Sequence, residues 1–299
     1  MRLLGSTRNN RVPDGDLVVL DIDGVLVDTR FSYPSVIRAA IQWGWTRLLG
    51  KEADCTGFSM GHFQASKRHP GFNDDYDIAW ALATVAASVS GRTGDPRLSK
   101  AMPTPQEWEA MLGDFPPSNV PGHVRALHGD PLDRPAFREL CEEMYLGENF
   151  HGHRKTLMKK GLWHAEKPLL ECHWSDLALP VAIYTGRFLP ELGLALSRLG
   201  WEDFPADRAV TPETGISKPS GEGFERLCAL TGSSKPIYFG DTESDRESLR
   251  RFGRGHFVAI GGLLPDEPRR YDSIREALED LGLFRQSFSG GSGSPGSVR

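Results

Sequence analysis

The sequence predicts an α/β fold, with a doubly wound parallel sheet as its core and a mostly α-helical segment inserted after the first strand. Two observations predict it. Short apolar runs, each followed by a turn and a helix-like stretch, recur in the second half of the chain, as is typical of buried parallel strands in βαβ units. The stretch between residues 31 and 166 contains helical patterns but no strand-like run.

The strands and helices of the core follow from these runs. Strands are predicted at residues 17–21 (LVVLD), 181–185 (VAIYT), 236–241 (PIYFGD) and 257–260 (FVAI), with a weaker one at 208–210. Apolar residues at three- and four-residue spacing predict helices near residues 189–199, 221–230, 244–252 and 273–281. Because strands and helices alternate, we expect a parallel sheet with helices on both faces.

The helical insertion is expected to form a second domain. Its helices are predicted at residues 34–49, 75–88, 105–112 and 135–146, and a proline opens each of the last two. The Pro- and Gly-rich residues 91–133 are expected to be irregular or mobile. These patterns divide the chain into a discontinuous core of residues 15–29 and 166–286, a helical domain of residues 30–165, and a disordered low-complexity tail of residues 287–299.

Charge and composition exclude several kinds of partner. The 299 residues include 35 Lys and Arg against 40 Asp and Glu, a formal net charge of -5, so no overall attraction to nucleic acid or an anionic membrane is expected. No apolar run approaches the ~20 residues of a membrane span. The polar N-terminus is unlike a signal peptide, and the four cysteines have neither CxxC nor zinc-site spacing. We expect a cytoplasmic protein of undetermined oligomeric state.

Two carboxylates follow the first predicted strand. Asp21 and Asp23 lie two residues apart, and Gly24 permits a sharp turn directly after them. Ligands bind at the carboxyl ends of strands in α/β sheets, so Asp21 is expected to face a ligand. A carboxylate there could attack a phosphoryl group and form an aspartyl phosphate, while Asp23 moves the proton of the leaving group. By itself, a DxD pair is more typical of a turn with a capping aspartate.

Three further segments match a known pattern in the same order. They are TGR at 185–187 after the VAIY run, KP at 218–219, and GDTESD at 240–245 after the PIYF run. Together with DIDG at 21–24, they resemble the four motifs of the haloacid dehalogenase superfamily. The resemblance implies a Rossmann-like core, and the insertion resembles the helical C1 cap of that superfamily, as in subfamily IA phosphatases.

The resemblance also implies a role for each motif residue. Asp21 would be the nucleophile and Asp23 the acid and base. Thr185, Gly186 and Lys218 would bind phosphate, and Mg²⁺ would be held by Asp21, Asp23, Asp241 and Asp245, the last either directly or through a neighbouring ligand. A site with oxygen ligands only suits this hard cation.

Candidates for contact with the substrate come mainly from the insertion. Phe72, Asn73 and Asp74 precede a predicted helix, and cap residues close over the leaving group in the superfamily that the sequence resembles. Asn and Asp are also ordinary helix N-cap residues. Arg187 could bind the phosphate or pair with a carboxylate of the insertion. The cluster around His151 and His153 is more typical of a solvated loop than of a substrate site.

These patterns predict a Mg²⁺-dependent phosphatase that hydrolyses a small-metabolite phosphate monoester through an aspartyl phosphate. An acid at position 23 argues against dehalogenation, because a halide leaving group needs no proton. Two alternatives stay open: a phosphomutase of the same superfamily, and a noncatalytic binding module that keeps the fold. The sequence does not select among phosphorylated metabolites.

Overall fold

A six-stranded parallel sheet forms the core of the protein. The computed structural model describes residues 14–150 and 158–285, so His151, His153 and the predicted tail lie outside the described residues. The strands are β1 (Leu17–Leu20), β2 (Val27–Asp28), β3 (Lys167–Pro168), β4 (Val181–Tyr184), β5 (Ala209–Val210), β6 (Pro236–Gly240), β7 (His256–Ile260) and β8 (Arg270–Tyr271). The sheet has the order β5-β4-β1-β6-β7-β8 and every pairing in it is parallel, which confirms the predicted fold class.

The register of the sheet positions the motif residues. Leu20, the last residue of β1, pairs with Ile183 of β4 on one side and with Phe239 of β6 on the other. All of β1 is buried. The residues that follow β1, β4 and β6 therefore emerge beside one another at a single edge of the sheet.

Eleven α-helices are found in the described residues. They are α1 (Tyr33–Arg47), α2 (Met60–Lys67), α3 (Asp75–Thr93), α4 (Leu98–Ala101), α5 (Pro105–Leu112), α6 (Val120–His128), α7 (Arg134–Leu146), α8 (Leu189–Leu199), α9 (Glu222–Thr231), α10 (Glu243–Phe252) and α11 (Ile274–Asp280). Helices α8 to α11 follow strands of the core sheet, whereas α1 to α7 all lie between β2 and β3. The insertion has its own hydrophobic core, which includes the fully buried rings of Trp45, Trp80, Trp108 and Phe137.

Two parts of the insertion differ from the sequence prediction. Residues 91–133 are not irregular throughout, because they contain α4 and α6 as well as the predicted α5. Helix α6 has only Val120 and Val124 buried, too short an apolar pattern to signal a helix. Helix α2 was also missed, because the face that it buries includes the polar side chains of His62 and Lys67.

The two connections between core and insertion lie side by side. Strands β2 and β3 pair antiparallel, Val27 with Pro168 and Asp28 with Lys167. Just beyond this ribbon, the Ser32 hydroxyl donates a 2.8 Å hydrogen bond to Glu166 Oε1. The chain thus leaves and re-enters the core close to Asp23.

None of the described helices is both long enough and apolar enough to cross a membrane.

A pair of glycine substitutions tests the packing of the insertion. A Cβ atom at Gly44 of α1 would lie 2.5 Å from Cε2 of Phe137 on α7, whereas a Cβ at Gly91 of α3 would meet nothing within 4 Å. Overpacking costs about 1–3 kcal/mol and exceeds the helix-propensity gain of about 1 kcal/mol. We expect Gly44→Ala to lower the urea midpoint and Gly91→Ala to raise it. A rise in both variants would contradict the tight contact between α1 and α7.

Candidate active site

A buried lysine joins two carboxylates at the edge of the sheet. Lys218 lies in the loop between β5 and α9, and its Nζ is 2.8 Å from Asp21 Oδ1 and 2.6 Å from Asp245 Oδ1. The side chains of all three residues are at most 7% exposed. Burial opposes the charge of Lys218, but the two carboxylates outweigh it and raise the pKa of its ammonium. Lys218 is therefore a permanent positive charge at the end of β1.

Asp245 is held by the local structure of β6 and α10. Its Oδ2 accepts hydrogen bonds from the backbone amides of Asp241 and Thr242 and from the Thr242 hydroxyl, as in a helix capping box. Its Oδ1 accepts a 2.6 Å hydrogen bond from the Tyr238 hydroxyl in addition to its contact with Lys218. Because both oxygens already have protein partners, Asp245 is well placed to orient its neighbours.

Asp241 has a free oxygen and lies against a glycine. Its Oδ1 is buried and has no hydrogen-bond partner among the described residues. Gly24 has a φ of +71°, and a Cβ there would lie 2.1 Å from Asp241 Oδ2. The turn after Asp23 thus needs glycine for two reasons, its backbone conformation and the close approach of Asp241.

The cluster is short of positive charge. Burial raises the pKa of Asp21 to about 7, and the charges of Asp245 and Asp23 add to that effect while Lys218 opposes it. Burial together with the nearby carboxylates raises the pKa of Asp241 well above its ordinary range. Lys218 is the one ammonium that contacts these carboxylates among the described residues, so Asp21, Asp241 and Asp245, when all ionised, exceed it by two negative charges.

A divalent cation fits this imbalance. Oxygens of Asp21, Asp241 and Asp245 lie within 4.8 Å of one another, and the unpartnered Asp241 Oδ1 is among the acceptors of the cluster. Carboxylate oxygens suit a hard cation such as Mg²⁺. The chemistry of the donors therefore agrees with the predicted metal site.

Arg187 binds Asp23. The guanidinium is fully buried, and its Nε and Nη2 donate hydrogen bonds of 2.8 and 2.6 Å to the same oxygen of Asp23, Oδ1. Its Nη1 donates to the Tyr145 hydroxyl of α7, and Nη2 also reaches Glu166 Oε2 at 3.1 Å. Arg187 thus pairs with two carboxylates of the predicted core, Asp23 and Glu166, and not with a carboxylate of the insertion among the described residues.

Glu191 lies in the first turn of α8 at the same junction. Its Oε1 accepts a 2.6 Å hydrogen bond from the Tyr76 hydroxyl of α3, and its side chain is buried between core and insertion. Burial raises the pKa of Glu191 to about 7, although the Tyr76 hydrogen bond and Arg187 favour the charged form. The junction therefore contains an acid whose pKa lies near neutral pH.

Thr185 and Gly186 lie at the carboxyl end of β4. Thr185 is buried, and its Oγ1 accepts a hydrogen bond from the Arg187 amide. A Cβ at Gly186 would come within 2.8 Å of the Asn73 side-chain nitrogen. Asn73 of the insertion, which was predicted to contact substrate, thus lies directly against the TGR motif.

The other two insertion candidates have partners within the insertion. The Phe72 ring is 1% exposed and packs among Trp108 and Phe115 in the core of the insertion. Asp74 caps α3 through the Tyr76 amide and pairs with Arg138. Both residues are thus explained by the structure of the insertion itself.

A cavity of about 430 Å³ connects the motif residues with the insertion. Asp21, Asp23 and Asp241 line it on the core side, and Met60, Phe63 and Lys67 of α2 line it on the insertion side. Lys67 was not among the residues predicted from the sequence. This lysine ends a helix whose buried face is largely polar. No sequence pattern therefore distinguishes it from a surface lysine.

Comparisons with known proteins identify the family. The model of the haloacid dehalogenase-like hydrolases matches residues 16–253. The chain belongs to this family. The resemblance seen in the four motifs is therefore confirmed, and with it the prediction of a hydrolase.

Several solved structures are similar to this chain. Phosphatase Tt82 from Thermococcus thioreducens is 25% identical to this chain, with a TM-score of 0.60 over 89% of this chain and 99% of its own. A subfamily IA, variant 1 hydrolase of the HAD superfamily from Geobacter sulfurreducens is 15% identical, with a TM-score of 0.42 over 90% and 99% of the two chains. A hydrolase from Pseudomonas syringae is 16% identical, with a TM-score of 0.46 over 89% and 98%. No curated protein matches the sequence.

The contact between Gly24 and Asp241 can be tested by metal binding. Gly24→Ala would push the Asp241 carboxylate out of the cluster, so we expect Mg²⁺ affinity in calorimetric titrations to fall at least about 10-fold. The matched control is Gly262→Ala in the same cavity wall, where a Cβ would meet nothing within 4 Å. Equal Mg²⁺ affinity in both variants would show that Asp241 does not hold the ion.

The buried acid at the junction predicts a pH-dependent stability. The pKa of Glu191 is about 7 in the folded protein and near 4.5 in the unfolded chain, so the folded state binds this proton more tightly. The stability contributed by protonated Glu191 is therefore complete below pH 4.5 and lost as the pH rises to about 7. Relative to wild type, Glu191→Gln should gain up to about 3 kcal/mol of unfolding free energy between pH 4.5 and 8.

Urea denaturation at several pH values measures this difference, with Glu225→Gln on the exposed face of α9 as the control. A difference between wild type and Glu191→Gln that stays constant with pH would mean that the pKa of Glu191 is not raised in the folded protein.

Proposed function

We propose that the protein is a Mg²⁺-dependent phosphatase that hydrolyses the phosphate monoester of a small metabolite through an aspartyl phosphate on Asp21. The observation that carries the proposal is the buried ammonium of Lys218, which contacts both Asp21 and Asp245 beside the unpartnered Asp241 oxygen. A cluster of this kind suits a phosphate dianion and a divalent cation together.

In the first step, a carboxylate oxygen of Asp21 attacks phosphorus, and the bond from phosphorus to the leaving-group oxygen breaks. The barrier to such a transfer is lowered mainly by groups that are already positioned around the phosphoryl oxygens. Lys218 neutralises negative charge next to the attacking carboxylate. Thr185 and Gly186, at the end of the neighbouring strand β4, are proposed to bind the phosphoryl oxygens.

Asp23 moves the proton in both steps. Arg187 donates two hydrogen bonds to Oδ1 of Asp23 and none to Oδ2, and Asp23 lines the cavity. We assign to this second oxygen the proton that goes to the leaving alkoxide. In the second step, Asp23 takes a proton from the water that attacks the aspartyl phosphate, and the bond between phosphorus and Asp21 then breaks to release phosphate.

Asp21 and Asp241 would hold Mg²⁺, together with the backbone carbonyl of Asp23. When bound, the ion would supply positive charge that screens the carboxylate of Asp21 from the phosphate dianion. Asp245 would act on this site mainly by position, because its oxygens orient Lys218 and the Asp241 amide.

The insertion is proposed to act as a cap over the leaving group. Asn73 lies against Gly186, and the apolar side chains of Met60 and Phe63 line the cavity on the side away from the carboxylates. A compact leaving group would occupy this part of the cavity. The substrate is thus proposed to be a small phosphorylated metabolite.

Phosphate release from a panel of metabolite esters tests the proposed function. We expect release that needs Mg²⁺, stops with chelator, and falls about 10⁴-fold or more in Asp21→Asn. The control Asp207→Asn changes an exposed carboxylate outside the site and should retain full activity. Sugar phosphate isomerised with little phosphate released would favour a phosphomutase, whereas tight binding of one metabolite without turnover would favour a binding module.

The role of Asp23 gives a sharper test. Asp23→Asn should lower kcat/KM, which does not include the later hydrolysis of the aspartyl phosphate, by about 10²–10⁴-fold for alkyl phosphates, which need a proton on the leaving oxygen. The loss should be much smaller for p-nitrophenyl phosphate, whose leaving group departs as an anion. Equal losses for both kinds of ester would contradict the assignment of Asp23 as the acid.

A further inference from the structure

A second buried lysine faces the proposed phosphoryl site from the insertion. Lys67 is the last residue of α2 and is 8% exposed. It lines the cavity of about 430 Å³ that also contains Asp21, Asp23 and Asp241. Neither the four motifs nor the proposed mechanism uses this residue.

The ammonium of Lys67 has hydrogen-bonding capacity to spare. Its Nζ lies 2.8 Å from Asp75 Oδ1 and 5.5 Å from the centre of the Phe63 ring. An ammonium has three donors, and among the described residues Asp75 is its one ion-pair partner. Two donors are therefore available to a ligand in the cavity.

The surroundings of Lys67 fix its position. Ser66, its neighbour on α2, accepts a 2.9 Å hydrogen bond from the Trp108 indole of α5. His62, one turn earlier, contacts the Pro103 carbonyl at 2.9 Å, and Asp75 belongs to the first turn of α3. Lys67 is therefore held between two elements of the insertion, unlike a flexible surface lysine.

The charges around Lys67 keep it protonated. Burial opposes its charge, but Asp75, Asp23 and Asp241 outweigh burial and raise the pKa of the ammonium. Asp23 and Asp241 belong to the core, so the ammonium interacts electrostatically across the cavity with two carboxylates of the proposed mechanism. The phosphoryl group would occupy this same space, since it must contact Asp21 and Asp23.

We propose that Lys67 is a further catalytic residue, which donates hydrogen bonds to the non-bridging oxygens of the transferring phosphoryl group from the insertion side. This inference rests on the proposed function. It places the phosphoryl group between two buried ammonium groups, Lys218 of the core and Lys67 of the insertion. The phosphoryl site is then complete only when the insertion lies over the core as it does in this structure.

The proposal agrees with the charge balance of the cavity. Lys67 and Asp75 together carry no net charge, so the pair adds no positive charge that would expel the metal. It does offer N–H donors to the equatorial oxygens, where negative charge is spread in a phosphoryl transfer. Donors that are already oriented towards such oxygens stabilise the transition state.

Three variants and a control test the role of Lys67. Lys67→Met removes the charge and keeps most of the side-chain volume, and Lys67→Arg keeps the charge. The double variant Lys67→Met with Asp75→Asn guards against misfolding, because it leaves no unpaired carboxylate. Lys100→Met changes an exposed lysine of α4 and serves as the matched control. Each is measured with Mg²⁺ for kcat/KM on p-nitrophenyl phosphate and on an alkyl phosphate, and by calorimetry for binding of inorganic phosphate.

For Lys67→Met and for the double variant, we expect kcat/KM to fall about 10²–10³-fold by the same factor for both esters, and phosphate affinity to fall at least about 10-fold. Lys67→Arg should recover part of both losses, and Lys100→Met should behave as wild type. Equal factors are expected because a contact to non-bridging oxygens does not depend on the leaving group.

Wild-type kcat/KM and phosphate affinity in the folded double variant would overturn the proposal. A loss confined to the alkyl phosphate would also overturn it, because Lys67 would then act on the leaving oxygen. If wild type hydrolyses no ester but binds phosphate in a manner that depends on Lys67, the proposed function fails and the phosphate contact stands. If that binding is independent of Lys67, both fail.

Discussion

The ion pairs of Lys218 are the interaction on which the site depends. They join a residue after β1 to a residue in the first turn of α10, and Lys218 itself comes from the loop before α9. Three segments distant in sequence therefore converge on one ammonium. Burying this charge is tolerable only because two carboxylates contact it, and burying those carboxylates in turn depends on it.

Arg187 plays a corresponding part at the junction with the insertion. It links the Asp23 carboxylate to Tyr145 of α7 and to Glu166, which precedes β3. The same guanidinium that orients Asp23 thus also ties down the return of the chain from the insertion. Placement of the proton-transfer group and placement of the insertion are therefore not independent, since a movement of Tyr145 or Glu166 would change the hydrogen bonds of Arg187.

The core and three of its four motifs were predictable because those three motifs follow continuous apolar runs, whereas Lys218 lies in a loop. Asp21, Thr185 and Asp241 come directly after β1, β4 and β6, and parallel pairing brings such residues to one edge whatever their distance in sequence. The insertion was less predictable. Helix α2 buries histidine and lysine, so it lacks the apolar period on which helix prediction depends. Because the helix was not predictable, the burial of Lys67 was not predictable either. Phe72 was predicted to contact substrate because the residues next to it in the sequence do not reveal that Trp108 and Phe115 surround its ring.

The antiparallel ribbon of β2 and β3 has a further consequence for the evolution of the chain. Because the two strands are neighbours in a ladder, the ends of the insertion are separated by about 5 Å, a gap that a tight turn can close. Segments of very different length can therefore occupy this point without disturbing the strand order of the sheet. Exchange of the inserted segment would then change the residues that line the cavity on the insertion side, whereas Lys218 and the two carboxylates that contact it all belong to the core.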